Sequence, residues 1–384
     1  MSKLQFKILK KRGNARVWEI TLNGTTLRTP IFMPVWTKAT IKGLILDMLQ
    51  DPKYIGEDLE PIKLILANTF HLYLRPGSET IKKAGGLHQF EHWDNLILTD
   101  SGWFQVFSLG LNKTWNDCQS CKRNPHGHNI DIKLGEEGVK FASPFDGSKH
   151  IFTPENVVDT QCNFGSDIMM VLDVCSPADA DKGTIYQHMQ MTHRRARRAF
   201  EHLEPKYHDV NGVLFPIVQW WIHKDLREES IDFLSKYARD GIAVGWVSVG
   251  EWRDLINEIM SFAGPKLPED KPRYLMWVGT PDDLRHGIEQ WFDMFDCVLA
   301  TRLGRHGQAF SDHGNIKITN AKYKEDFSPL TDNCSCFCCQ HYSKAYLHHL
   351  FKEKEMLAGI LVSLHNIVYL HRLLENRKDA MMKE

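Results

Sequence analysis

Residues 273–299 read RYLMWVGTPDDLRHGIEQWFDMFDCVL. An apolar run, Arg273–Val278, leads into an amphipathic stretch, Asp282–Gln290, and then into a second apolar run, Met294–Leu299. Near-continuous apolar runs are expected of strands buried on both faces, as parallel strands are. Two of them joined by a helix make one β-α-β unit. Outward from this stretch the same pattern recurs at Ile31–Val35, Lys63–Ala67, Leu96–Thr99, Asp167–Leu172, Gly212–Val218 and Gly241–Val249. Amphipathic segments such as Thr184–Leu203 lie between them. Eight β-then-α units predict an α/β protein of the (β/α)8, or TIM barrel, class.

Three segments fall outside the repeat. Residues 1–30 read as a preceding hairpin turning at Asn23-Gly24. Residues 111–135 are a polar insertion. Residues 312–384 hold a cysteine cluster and a helical tail with Leu347, Leu350, Leu357 and Leu361 at helical spacing. The expected division is therefore a barrel with hairpin and insertion over 1–311, and a metal-binding subdomain with a C-terminal helix over 312–384.

At 384 residues, 42% hydrophobic and 25% charged, the chain has a globular balance that excludes disorder. A net charge of -1 gives no global cationic field, so a nucleic-acid site has to be a local patch. No apolar run approaches the roughly 20 residues that span a bilayer, and the N-terminus lacks the apolar core of a signal peptide. A cytoplasmic protein without a membrane partner is expected. Four of the nine cysteines sit between Cys334 and Cys339, which in that compartment points to metal and not to disulfides.

In this fold class chemistry gathers at the C-terminal ends of the strands. Those ends carry Asp100 and Ser101 after the third run, Asp173 and Cys175 after the fourth, Gln219 after the fifth and Asp296 in the eighth. One aspartate at a strand end is commonly a helix cap; four polar ends in one chain make a candidate active site. Two carboxylates suit glycosidic chemistry, one attacking the anomeric carbon and the other moving a proton. An Asp beside a Gln offers the acceptors and donors that the edge of a purine-like base requires. Cys334-x-Cys336-x-x-Cys339 with His365 forms a closed three-thiolate, one-imidazole set suited to structural zinc, with Cys338 as a spare. Arg302 and Arg305 follow Asp296 closely and suit phosphates beside a reacting sugar. The run Arg194, Arg195, Arg197 and Arg198 reads as an outer helix face.

Together with Phe32-Met33-Pro34-Val35, Asn68-Thr69-Phe70-His71, Leu74-Arg75-Pro76-Gly77, Thr99-Asp100-Ser101-Gly102, Phe104 to Leu109, Gly165-Ser166-Asp167-Ile168, Lys271 to Met276 and Asp293 to Leu299, these residues resemble the tRNA-guanine transglycosylase family, also called queuine tRNA-ribosyltransferase. The resemblance covers nearly the whole chain. It implies exchange of guanine for a 7-deazaguanine at the anticodon wobble position. The tRNAs concerned carry a GUN anticodon, those for aspartate, asparagine, histidine and tyrosine. Asp296 looks like the nucleophile and Asp100 the general acid/base. Asp173, Gln219, Ser101 and the Gly245-Trp246 backbone look like base readers, with Phe104 and Met276 as the faces of the base sandwich. Arg302 and Arg305 look like tRNA contacts. Cys175 and Val249 are similar to the bacterial pattern, which implies the small base preQ1. One structural zinc and a homodimer are also implied. A non-catalytic tRNA-binding relative and a barrel glycoside hydrolase are the competing readings.

The sequence departs from the family in one direction. Trp18, Trp36, Trp103, Trp220, Trp246, Trp277 and Trp291 stand where the family has glycine, and Trp221 where glycine or serine is common; Trp93 matches a family tryptophan. Trp103 and Trp246 would stand in the base pocket. A one-way pattern is expected if UGA codons of the gene specify glycine. The insertion carries Cys118-x-x-Cys121, His126 and His128, which read either as a second zinc site or as a long loop with incidental cysteines.

Overall fold

A computed structural model describes residues 2–110, 132–176, 180–219, 223–245 and 253–383. The insertion with Cys118, Cys121, His126 and His128 lies outside the described residues, as do Trp220, Trp221, Trp246 and Val249. All eight anticipated strands are present. They are β1 (Ile31–Trp36), β2 (Leu64–Ala67), β3 (Leu96–Thr99), β4 (Ile168–Met170), β5 (Val213–Phe215 and Ile217–Val218), β6 (Ile242–Val244), β7 (Arg273–Leu275) and β8 (Met294–Cys297). Every residue of β2 to β8 is buried, as parallel strands with both faces covered require.

Hydrogen-bonded neighbours run β5-β4-β3-β2-β1-β8-β7-β6-β5. The two ends of that order are the two halves of β5. Val213–Phe215 pairs with β4, and Ile217–Val218 pairs with β6. Pro216 separates the halves because it has no N–H for the ladder, yet its carbonyl still accepts from Ala243 N at 2.9 Å. Such a cyclic order of eight parallel strands is the topology of the (β/α)8 class.

By internal contacts the chain forms two compact units. One comprises Met1–Lys3, Ala67–Val249 and Lys266–Lys271; the other comprises Leu4–Leu66, Gly250–Pro265 and Pro272–Glu384. In the first, the helix Lys182–Leu203 starts on Asp181, whose carboxylate accepts from Thr184 N. Its arginine run is tied down by ion pairs: Arg194 with Glu136 at 2.6 Å and Arg198 with Glu155 at 2.8 Å. Arg195 departs from the outer-face reading. It is buried and donates to the backbone oxygens of Asp173 and Gly135.

In the second unit, β1 pairs with β8, placing Met33 beside Asp296, and β8 pairs with β7. The turn at Asn23-Gly24 is present, with φ of 49° and 82°. The N-terminal hairpin gains a third strand, Gln5–Arg12, to make an antiparallel sheet with Ala15–Leu22 and Thr25–Thr29. The Met356–Lys383 helix is long and apolar enough to cross a membrane, but 78% of its apolar window is buried within the fold. Asn366 Nδ2 donates to Ala300 O at 2.9 Å and to Gln308 O at 3.0 Å. Gly304 permits this packing, since a Cβ there would lie 2.6 Å from Ser363 N.

Candidate active site and metal centre

Asp100 follows β3 and is anchored on three sides. Asn68 Nδ2 donates to its Oδ2 at 2.6 Å, while Thr69 N and Gly102 N each donate to Oδ1 at 3.0 Å. The first two donors come from the start of the helix Thr69–Leu74, which Asn68 also caps by accepting from His71 N. A short polar side chain at the N-cap thus holds both the helix and the carboxylate.

Asp173, following β4, is buried. Ser101 Oγ donates to its Oδ1 at 3.1 Å and Gln219 Nε2 to its Oδ2 at 2.5 Å, with the Cys175 thiol 3.6 Å from Oδ2. Burial pushes its carboxyl up from the ordinary value, and these hydrogen bonds oppose the rise. Gln219 Oε1 is buried without a donor among the described residues, so this set retains unused accepting capacity. Gly245 is what lets Gln219 lie where it does, because a Cβ there would sit 2.7 Å from Nε2. Trp103 opens the Trp103–Gly110 helix, buried against Phe70, Leu172, Val174 and Cys175. Phe104, next to it, is half-buried and packs on the same cluster. The first unit thus gathers Asp100, Ser101, Asp173, Cys175, Gln219 and Gly245.

The second unit holds Asp296 at the end of β8, 2% exposed. Tyr274 Oη and Trp277 N both donate to its Oδ1, each at 2.7 Å. No described residue donates to Oδ2. Burial raises the carboxyl to about 6, with the two donors pulling the other way. Met276 is buried between them in sequence. Arg302 and Arg305 lie on the Leu299–Arg305 helix, Arg302 exposed and Arg305 half-buried. Lys38 and Lys42, following β1, belong to the same cationic cluster. Burial lowers Lys42, and Arg305, Lys38 and Arg302 lower it further. Sequence reading missed Tyr274, Asn68 and these two lysines as site residues. The only signal for the first two was membership in family motifs, and the lysines gave none.

Cys334, Cys336, Cys339 and His365 converge, with every ligand atom within 4.8 Å of the others. The three Sγ atoms lie 3.8, 3.6 and 3.3 Å from His365 Nδ1. A tetrahedral zinc with ordinary Zn–S and Zn–N lengths needs about 3.6 Å between S and N, so the donor set fits the ion. His365 Nε2 faces Phe310 O at 2.9 Å, which turns Nδ1 toward the thiols. Cys338 stays outside the cluster, as its spacing indicated.

The chain matches the family described as queuine tRNA-ribosyltransferase over residues 11–384. It is 43% identical over 388 residues to a queuine tRNA-ribosyltransferase of Caldanaerobacter subterraneus, covering 100% of this chain and 95% of the relative. It is 43% identical to one of Vibrio campbellii, over 99% and 93% of the two chains. To one of Solidesulfovibrio magneticus it is 44% identical, over 96% and 91%. A match of this extent, on a cyclic eight-stranded fold with the rim carboxylates and a Cys3His cluster in place, shows that the chain belongs to the queuine tRNA-ribosyltransferase family.

Proposed function

We propose that the protein is a tRNA-guanine(34) transglycosylase that installs preQ1 at the wobble position, a pentosyl transfer through a covalent Asp296–ribose intermediate. The observation that carries the reading is the one-sided anchoring of Asp296. Both hydrogen bonds fall on Oδ1, which orients Oδ2 as the attacking oxygen. In the first step Oδ2 bonds to C1′, the C1′–N9 bond breaks, and guanine leaves with a proton from Asp100. In the second step the N9–H of preQ1 returns a proton to Asp100 as N9 bonds to C1′ and the Asp296 carboxylate departs. Asp173 accepts from the N1–H and exocyclic amine of guanine, Gln219 and the Gly245-Trp246 backbone address O6, and Ser101 steadies Asp173. Phe104 and Met276 cover the two faces of the base. Cys175 and Val249 follow the bacterial pattern, which favours preQ1, and Arg302 and Arg305 hold the flanking phosphates.

A zinc ion held by Cys334, Cys336, Cys339 and His365 would cross-link the 312–384 subdomain and take no part in the chemistry. A cytoplasmic homodimer acting on tRNAs with a GUN anticodon completes the proposal. The two carboxylates favour an enzyme over a non-catalytic relative, and the cationic cluster beyond β8 favours RNA over a free glycoside. Labelled guanine should exchange into a GUN-anticodon tRNA. A denaturing gel should trap a tRNA–protein adduct, and Asp296→Asn should abolish both. An adduct that survives that substitution removes Asp296 from its role.

A further inference from the structure

Six of the eleven tryptophans lie among the described residues, and one of them differs from the rest. Trp93 is buried with its indole N–H donating to Leu96 O at 3.1 Å, as a buried tryptophan ordinarily does. The indole nitrogens of Trp18, Trp36 and Trp291 are buried with no acceptor among the described residues. Trp103 has only the Cys175 thiol, a weak acceptor.

The backbone separates them further. Trp277 and Trp291 have φ of 64° and 73°, in the left-handed region that a bulky L side chain rarely enters. Trp291 occupies a defined slot there. After the Pro281–Glu289 helix, Trp291 N donates to Ile288 O and Phe292 N to Gly287 O. This pair of bonds is the Schellman closure, whose left-handed residue is ordinarily glycine. Three other helices of this chain close with the same pair of bonds. Gly165 N and Ser166 N donate to Cys162 O and Gln161 O, Gly85 N and Gly86 N to Lys82 O and Ile81 O, and Lys354 N and Glu355 N to Phe351 O and Leu350 O. In the first two the left-handed residue is glycine, with φ of 69° and 92°; in the third it is the unbranched Lys354, with φ of 61°. Arg16 and Arg273 lie 5.9 and 5.2 Å from the Trp291 ring, so the side chain finds company, but its backbone conformation is still the one glycine supplies.

We propose that residues 277 and 291, and with them 18, 36 and 103, are glycine in the protein as its own cells make it, their UGA codons being read as glycine, while residue 93 is a true tryptophan. The consequence for the site rests on the proposed function. Glycine at 103 empties the space that the indole fills beside Cys175, close to Asp173 and Gln219, where a base would need it.

Two measurements test this independently of any guanine exchange. Tryptic peptide masses of the protein purified from its source should show glycine at 277 and 291 and tryptophan at 93, with UGA, UGA and UGG as the codons. Tryptophan masses or UGG codons at 277 and 291 overturn the proposal. In recombinant protein with tryptophan at these positions, Trp277→Gly and Trp291→Gly should each raise Tm, by on the order of 2 °C, and Trp93→Gly should lower it. Loss of stability in both of the first two variants counts equally against it.

Discussion

Asp296 carries the sharpest single-residue consequence. In the proposed mechanism its carboxyl must be ionised to attack, and burial places its midpoint at about 6. The pH dependence of kcat/KM for guanine exchange should therefore fall on the acid side through about pH 6. Because the folded value is raised above the unfolded one, Asp296 favours the fold most at low pH. That contribution is lost as pH rises through about 6, where the ionised form must be kept buried. Tyr274 Oη bonds the ionised form, so Tyr274→Phe should move the acid limb upward by about one unit and lower kcat about tenfold, since a hydrogen bond to a charged group contributes roughly 1.5–3 kcal/mol. An unmoved limb would show that Tyr274 merely packs. The sequence made Asp296 legible because a carboxylate interrupts the apolar run Met294–Leu299. Tyr274 was legible only as a strand residue, because its partner lies across a β7–β8 register that no local pattern displays.

The metal cluster sets the expectation for the elements around it. His365 reaches the cysteines from the middle of the Met356–Lys383 helix, so an ion there would cross-link that helix to the Cys334–His341 segment. Cys339→Ser should abolish zinc retention and lower Tm sharply, whereas Cys338→Ser should keep about one zinc per chain as measured by elemental analysis. Equal zinc loss in the two variants would mean that the wrong thiols have been assigned. The same scale shows why some elements were readable. The eight barrel strands announce themselves because both faces are buried. The strand Gln5–Arg12 carries four cationic residues in eight and is largely exposed, so it offers no apolar signal, and the strands Ile132–Leu134, Val139–Ala142 and Lys149–Phe152 are only three or four residues long, too short for a periodicity to stand out. The break at Pro216 escaped notice because the flanking residues read as one continuous run.

Over the whole molecule the charges nearly cancel, 47 cationic against 48 acidic side chains, so attraction for a polyanion has to be local. In the proposed function Lys38, Lys42, Arg302 and Arg305 supply it: burial and mutual repulsion lower Lys42, and burial and Arg302 lower Arg305, as happens where cations are held close together. Phosphate groups relieve that repulsion and release counterions, so tRNA affinity should fall steeply with salt. Removing one charge by Arg302→Ala or Lys42→Ala should weaken tRNA binding at low salt and reduce the slope of log Kd against log salt by about one. If these side chains address phosphates and not the departing base, as proposed, KM for tRNA should rise while KM for the free base stays unchanged. A slope identical to that of the unsubstituted protein in both variants would place the RNA on another surface, since only groups that displace counterions contribute to it.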